Sequence, residues 1–277
     1  MASPIANDDL RREAYVLKQL QGLQAWKGSL VHQALHTWFV PALRGNQKIT
    51  PDELTQRTIE LAKRQWEFSR NHQYRSLRQQ AKKNFGAEFC ALLPHEYNGQ
   101  VTEKDIEEMH ADISRCFRNL GICDTLPQLL AGHTSLWSER SLSFRVGDFP
   151  VRAKLDLLCS AGNHHTILDW KVSEDAASKN PKQALVYALS VIRALPGAKP
   201  EDLQVYEFNL LANGLRSHIV TEEKLSDTED FIFRSATEIW GLLGNRGPSI
   251  EALEDCESAS SPYTCQYCSF RKLCWEA

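Results

Sequence analysis

Asp156, Asp169, Lys171, Gln183 and Tyr187 have the types and spacing of a hydrolytic metal site. The chemistry that suits them is metal-assisted cleavage of a phosphodiester. Carboxylate oxygens are hard ligands for Mg²⁺ or Mn²⁺. Such a cation polarises a phosphoryl oxygen and lowers the pKa of a bound water. A lysine beside the attacked phosphate offsets the charge that develops there. Asp169 and Lys171 are two apart, so on a strand both leave the same face. Asp156 reaches them across a hairpin that turns near residues 161–164. Gln183 and Tyr187, four apart, share one face of a helix that can lie over the site and contact a nucleic-acid backbone. Each piece alone is common in unrelated proteins, where Asp-x-Lys, a strand-end Asp or Gln-x-x-x-Tyr has no catalytic role. Their order on strand, strand and helix carries the reading.

The surrounding pattern supplies those elements. Leu142, Phe144 and Val146 alternate with polar residues from Ser138 onward, which predicts a strand. Val151, Ala153, Leu155 and Leu157 form the apolar row of the next strand, with Arg152, Lys154 and Asp156 on its other face. Ala161, Gly162 and Asn163 read as a turn, and Thr166 to Ser173 as the third strand. Residues 181–194 return to a helical period with Leu185, Leu189 and Ile192 as the buried row. Leu203 to Leu211 and Leu215 to Thr221 flank an Asn213-Gly214 turn and predict a hairpin. Ser226 opens a helix to about Leu243, which Gly247-Pro248 ends.

Ahead of the strands the chain is helical. Residues 9–44 read as one helix, with Gly28 its weak point. Thr50, Pro51 and Glu53 start a helix that runs to about residue 70. Thr102 to Asp105 start another that ends near Gly121. The expected fold class is α/β: a small mixed sheet flanked by helices, with a helical insertion and a Cys-rich metal-binding tail. The expected segments are 1–44 (N-terminal helical part of the core), 45–135 (helical insertion), 136–247 (core sheet and helices) and 248–277 (tail).

These motifs resemble the PD-(D/E)XK nuclease superfamily, in particular its RecB-like exonuclease branch. That branch pairs a Gly-x-x-x-His helix motif with a Gly-x-Ile-Asp strand, an Asp-x-Lys strand and Gln-x-x-x-Tyr. Here the counterparts are Gly28 to His32, Ala153 to Asp156, Ile167 to Val172, and Gln183 to Tyr187. Ala153 stands for the usual glycine and Val172 for the usual threonine; neither change removes a ligand. The resemblance implies a restriction-endonuclease-like core and a metal site of His32, Asp156, Asp169 and the Trp170 carbonyl. It also implies that Lys171 assists the attacking water while Gln183 and Tyr187 position the substrate. Glu139 falls where the family often has an acidic residue, on the strand before the first catalytic aspartate. Read without the family, His32 is a polar residue on a core-facing helix, and His36 one turn on could pair with it on zinc.

Cys265, Cys268 and Cys274 are three thiols within ten residues, a spacing that suits one metal or cluster. Four of the eight cysteines lie from residue 256 onward, which points to a metal site in a reducing compartment rather than a disulfide framework. The same spacing closes the RecB-like nucleases that hold a four-iron four-sulfur (4Fe-4S) cluster, including the AddB nuclease subunit and the CRISPR-associated exonucleases. Those relatives draw a fourth cysteine from ahead of the His motif, where this chain has none. Cys256 is the fourth ligand that local spacing supports; Cys90, Cys116 and Cys123 are the upstream alternatives, and zinc the alternative metal. Cys159 reads as a small core residue.

Composition bounds the remainder. The 277 residues carry a formal net charge of −3, so a nucleic-acid partner would have to be met by a local basic patch. Arg57 to Lys83, with Trp66, Phe68 and Tyr74 interleaved, is one candidate for tracking phosphates and stacking bases; an amphipathic helix with solvated cations is the other reading. No apolar run suits a membrane span and the N-terminus lacks a signal-peptide pattern, so a cytoplasmic protein is expected. The expected function is a metal-dependent DNA nuclease, an exonuclease on single strands or duplex ends. A catalytically quiet DNA-binding subunit and a restriction-type endonuclease are the alternatives. No helicase motif is present, so any helicase partner would be a separate chain.

Overall fold

The computed structural model describes residues 9–78, 82–174, 181–242 and 262–275. In chain order the helices are α1 (Asp9–Leu17), α2 (Leu23–Ala34), α3 (Val40–Arg44), α4 (Pro51–Arg70), α5 (Leu93–Glu96), α6 (Glu103–Ile122), α7 (Thr125–Leu130), α8 (Pro181–Ala194), α9 (Glu222–Leu242), α10 (Pro262–Gln266) and α11 (Arg271–Trp275). The strands are β1 (Ser135–Val146), β2 (Phe149–Ala161), β3 (His164–Lys171), β4 (Leu203–Asn209) and β5 (Gly214–His218). Contacts divide the chain into one unit of Met1–Lys27, Ile59–Glu107 and Trp240–Ala277, and a second of Gly28–Thr58 and Glu108–Ile239.

The second unit holds a mixed five-stranded sheet in the order β1-β2-β3-β4-β5. Its pairs are antiparallel except β3 and β4, which run parallel and are joined through α8. This is a restriction-endonuclease-like α/β core. Leu142, Phe144, Val146, Ala153, Leu155, Leu158, Ile167 and Val205 pack against Ala184, Tyr187, Ala188 and Val191 of α8. The buried stripe of α8 is thus centred on small residues and Tyr187; the expected Leu185 and Ile192 are only half-buried beside Leu189. Small residues let the helix approach the sheet closely. At the far end of β3, the Leu210 N–H donates to the Lys171 carbonyl at 2.8 Å, and Asn119 Nδ2 of α6 donates to the Leu210 carbonyl at 2.7 Å. These bonds fix the strand end that carries Lys171.

Local chemistry sets the helix starts. The Thr50 N–H donates to Glu53 Oε2 at 2.9 Å and the Glu53 N–H to Thr50 Oγ1 at 3.2 Å, the reciprocal capping box that opens α4. Thr102 and Asp105 do the same for α6 at 2.7 and 3.2 Å. The expected helix over 9–44 is interrupted, and not at Gly28, which lies inside α2. The break comes at residues 18–22. There the Gln21 N–H bonds the Ala91 carbonyl and the Gln21 carbonyl accepts from Leu93, both at 2.9 Å, so strand-like pairing with a distant segment wins over helix continuation. Residues Leu35–Phe39 then form a single π turn after His32.

In the first unit, Val16, Leu17, Leu20, Phe68, Tyr74, Leu77 and Ala91 form a core. The aromatic residues considered for base stacking are therefore spent elsewhere: Phe68 and Tyr74 are buried, and Trp66 packs edge-on against His95 at 4.3 Å. Arg75 pairs with Glu13 at 2.5 Å and with Glu96. This segment is a packed element stapled by ion pairs, not a stacking platform. The tail joins the same core, with Leu273 packed on it and the Tyr97 hydroxyl donating to the Ser269 carbonyl at 2.7 Å. Among the described residues, no helix is long and apolar enough to cross a membrane.

Candidate active site

Strand register lines up one row of charged residues across the sheet. The pairs Ser138↔Leu157 and Arg140↔Leu155 set Glu139 opposite Asp156. Leu157↔Leu168, continued by one residue, sets Asp156 opposite Asp169. Asp169 pairs with Glu207, and Glu207 with Arg216. Cross-strand neighbours of this kind have Cβ atoms about 5 Å apart. Four carboxylates thus follow one another across four strands.

Helix α2 brings His32 to this row, with Nδ1 3.3 Å from Asp156 Oδ1. The other Asp156 oxygen accepts the Trp170 backbone N–H at 2.9 Å. Asp169 Oδ2 lies 2.5 Å from Lys171 Nζ. Lys171 Nζ also donates to Gln183 Oε1 at 2.8 Å, and Gln183 Nε2 donates to the Tyr187 hydroxyl at 2.6 Å. The five residues that opened the sequence analysis therefore form one connected network, with His32 at its edge. Trp170 enters through its amide N–H; its side chain is buried against Phe39 and Phe208.

Charge is divided unevenly between the two aspartates. Burial and the charge of Asp156 push Asp169 up to about 6, with Lys171 opposing. Burial acts on Asp156 in the same sense, but the hydrogen bond and charge of His32 and the Trp170 N–H outweigh it and hold Asp156 below the usual carboxylate range. Burial alone would lower His32; its bond to Asp156 and the nearby carboxylate charges carry it above the ordinary imidazole value. Burial, followed by the charges of Asp169 and Asp156, raises Tyr187, so it is a phenol and a hydrogen-bonding group rather than a base.

Among the described residues, His32, Glu139 and Asp156 are the group whose ligand atoms all lie within 4.8 Å of one another. One imidazole nitrogen and two carboxylate oxygens form a donor set that fits Mn²⁺ or Mg²⁺. Asp169 adjoins that set through Asp156, its own carboxylate turned to Lys171. His36 does not join it; its Nδ1 is hydrogen-bonded to Ser138 Oγ at 2.7 Å. Glu207, 7% exposed and 4.0 Å from His218 Nε2, is the row member that sequence reading missed. Its signal is the parallel register of β3 with β4, which no local pattern reveals.

The cysteines are less assembled. Cys265 and Cys268 are half-buried, Cys274 is exposed, and Cys256 lies outside the described residues. Cys90 is buried in the first unit, where it accepts from Gln21 Nε2 at 3.7 Å, and burial pushes its thiol up to about 12. Cys116 and Cys159 are buried in the second unit, as expected for Cys159 as a core residue; Cys123 is half-buried there. Among the described residues, no three cysteine sulfurs lie within 4.8 Å of one another.

The fold and this carboxylate–lysine geometry define a nuclease class of protein. Residues 8–275 match the family model of the PD-(D/E)XK nuclease superfamily, and the chain belongs to that superfamily. No curated protein matches the sequence. Among solved structures, the chain is similar to a Eubacterium rectale protein named, by inference, as an exonuclease: 10% identity, 93% of this chain and 95% of that one covered, TM-score 0.38. It is also similar to the protein SSO0001, at 13% identity over 66% of this chain and 78% of that one, TM-score 0.30.

Proposed function

We propose that the protein is a divalent-metal-dependent deoxyribonuclease of the RecB-like branch, acting as an exonuclease on single-stranded DNA or duplex ends. The observation that carries this reading is the unbroken path from Asp156 through Asp169, Lys171 and Gln183 to Tyr187, beside His32. His32, Asp156 and Asp169, with the Trp170 carbonyl, would hold Mg²⁺ or Mn²⁺. When bound, the cation would polarise the scissile phosphate and acidify the attacking water. Lys171 sits where it can orient that water and offset charge on the phosphate. Gln183 keeps the ammonium aimed, and Tyr187 keeps Gln183 in place. The pull of Asp169 and Gln183 on the Lys171 ammonium leaves it two acceptors and one further N–H for substrate.

In the tail, Cys265, Cys268 and Cys274 with Cys256 would hold a structural 4Fe-4S cluster. Its support is the cysteine spacing and the docking of Ser269 and Leu273 on the first unit's core.

The test is cleavage of end-labelled single- and double-stranded DNA with Mn²⁺, comparing the protein with Asp169→Ala. Ladder or mononucleotide release by the wild type and none by the variant is expected. Equal cleavage by both would remove the assignment. A visible spectrum of anaerobically purified protein tests the tail: the broad visible absorption of a brown iron–sulfur protein is expected, and a colourless zinc protein refutes the cluster.

A further inference from the structure

A net charge of −3 gives the whole molecule no pull on a polyanion, so a nucleic-acid strand has to be held by a local cationic surface. Phe68 and Tyr74 of the basic stretch are buried in the first unit's core and offer no face to a base. The unit that carries the site has a surface of its own. The last turns of α6 and the start of α4 border a groove of about 600 Å³, lined by Pro51, Arg115, Arg118, Asn119, Gly121 and Ile122. Its floor depends on residue 121 being glycine. A Cβ there would lie 2.7 Å from Pro51 Cγ, so a larger residue would push the end of α6 away from the first turn of α4.

Arg115, Arg118 and Ile122 follow one another at three- and four-residue steps, so they form one stripe along α6. Arg115 pairs with Asp112 at 3.3 Å, and its side chain is 52% exposed. A surface pair of that kind contributes little and yields readily to a competing anion. Arg118 is exposed, and among the described residues no ion pair holds it. Ile122 is 65% exposed and, with Pro51, gives the groove its apolar wall.

The groove is tied to the site through the backbone. Asn119 Nδ2 donates to the Leu210 carbonyl at 2.7 Å and to the Leu211 carbonyl at 3.3 Å, and the Leu210 N–H donates to the Lys171 carbonyl at 2.8 Å. One lining residue is therefore two hydrogen bonds from the main chain of Lys171. The groove lies beyond the carboxyl ends of the parallel strands β3 and β4, the end at which open α/β sheets take their ligands.

Resting on the nuclease reading above, we propose that this groove is a subsite for one unpaired strand of the nucleic-acid substrate, next to the scissile phosphate. Arg115 and Arg118 take backbone phosphates, and Ile122 with Pro51 takes the face of a base. Charge and shape select this occupant together. Guanidinium groups match phosphate oxygens in bidentate geometry. An apolar wall beside them suits a base face, which a duplex keeps inside its stack and a single strand exposes. The strand thus enters unpaired, from a single-stranded molecule or from a frayed duplex end.

The test is fluorescence anisotropy of a labelled oligothymidylate with the full chain, in a chelator so that nothing is cut, over a series of salt concentrations. Wild type, Arg118→Ala, the double variant Arg115→Ala/Arg118→Ala and Ile122→Ala are compared. These side chains are exposed, so Tm should not change. Each phosphate contact on a single strand contributes about 0.7 to the slope of log affinity against log salt; the slope should flatten by about 0.7 in Arg118→Ala and by about 1.4 in the double variant. Ile122→Ala should weaken binding about fivefold, the low end for one stacked base, with the slope kept and with no effect on a blunt duplex. An equal loss on the duplex overturns the assignment to an unpaired base. In parallel the wild type is given the same strand with Mn²⁺. No cleavage there overturns the nuclease reading and the subsite with it. Cleavage by the wild type, with wild-type slopes in both arginine variants or with no binding in chelator, overturns the subsite alone.

Discussion

Asp169→Asn should make the metal-free protein more stable while abolishing cleavage. Asp169 is 6% exposed, and its pKa is raised from 3.8 to about 6, by burial first and by the charge of Asp156 second. A folded-state pKa above the unfolded one means that the native fold binds the proton more tightly. Stability is then lost as pH rises through the window from about 4 to about 6, and the penalty is complete above it. A shift of about two units at about 1.4 kcal/mol each gives a penalty of about 3 kcal/mol near neutral pH. The amide removes it. Lys171 loses one partner but keeps Gln183 Oε1 at 2.8 Å, and its side chain is 30% exposed to water. A net gain of about 1 to 3 kcal/mol remains, or about 2 to 6 °C in Tm for a chain of this size. The assay is thermal unfolding followed by circular dichroism in the presence of a chelator, across roughly pH 4 to 8. The two proteins should coincide at the acid end and separate as pH rises, with the variant above. A variant that is less stable near pH 8 (roughly neutral conditions), or a gap that does not change with pH, refutes the reasoning. Adding Mn²⁺ should reverse the order, because the buried charge then has the partner it was placed for.

The other groups in the network make separate expectations. His32 is raised above the ordinary imidazole value of 6.5 by Asp156 against the effect of burial, so its ion pair stabilises the fold fully below that value and fades as pH climbs through the higher folded one. The proton and the cation compete for the same nitrogen, so Mn²⁺ affinity should rise across that window, and His32→Asn should flatten the pH profile; an identical profile in the variant refutes the ligand role. Gln183→Ala removes the acceptor that aims Lys171 and the link to Tyr187. Cleavage should fall about a hundredfold, the cost of a misplaced group about 1 Å from its target, with Mn²⁺ affinity and Tm nearly unchanged. A matching loss of Mn²⁺ affinity would show that Gln183 acts on the metal instead.

Short-range patterns made much of this molecule legible. The capping boxes at Thr50 and Thr102 and the turn at Gly162, where φ is +60°, depend on residues within a few positions of each other. So does the strand, strand, helix order that carries Asp156, Asp169, Lys171, Gln183 and Tyr187. What escaped depends on distant pairing. The break after α1 exists because Gln21 bonds Ala91 and Leu93, about seventy residues on. Within the basic stretch from Arg57, Arg64 and Arg75 looked available for phosphates because their partners, Glu88 for the first and Glu13 and Glu96 for the second, lie in other segments. Glu207 joined the charged row only through the parallel register of β3 and β4.

The charged row also explains why the site sits where the burial phase changes. A strand buried with one fixed alternation would point every second residue into the core, and a carboxylate there would meet only apolar neighbours. On β1 and β2 the core-facing set changes parity at Glu139 and Asp156, so these carboxylates sit between two apolar patches rather than inside either. There they are close enough to desolvate and yet retain polar partners: His32 and the Trp170 N–H for Asp156, Lys154 for Glu139. Asp169, one strand further in, has less relief, and its raised pKa records that. One aspartate is thus held charged and the next is held near its protonation point, a difference produced by position across the sheet rather than by residue type. A cation bound between them would remove that difference, which is the physical basis for expecting bound metal to stabilise the fold.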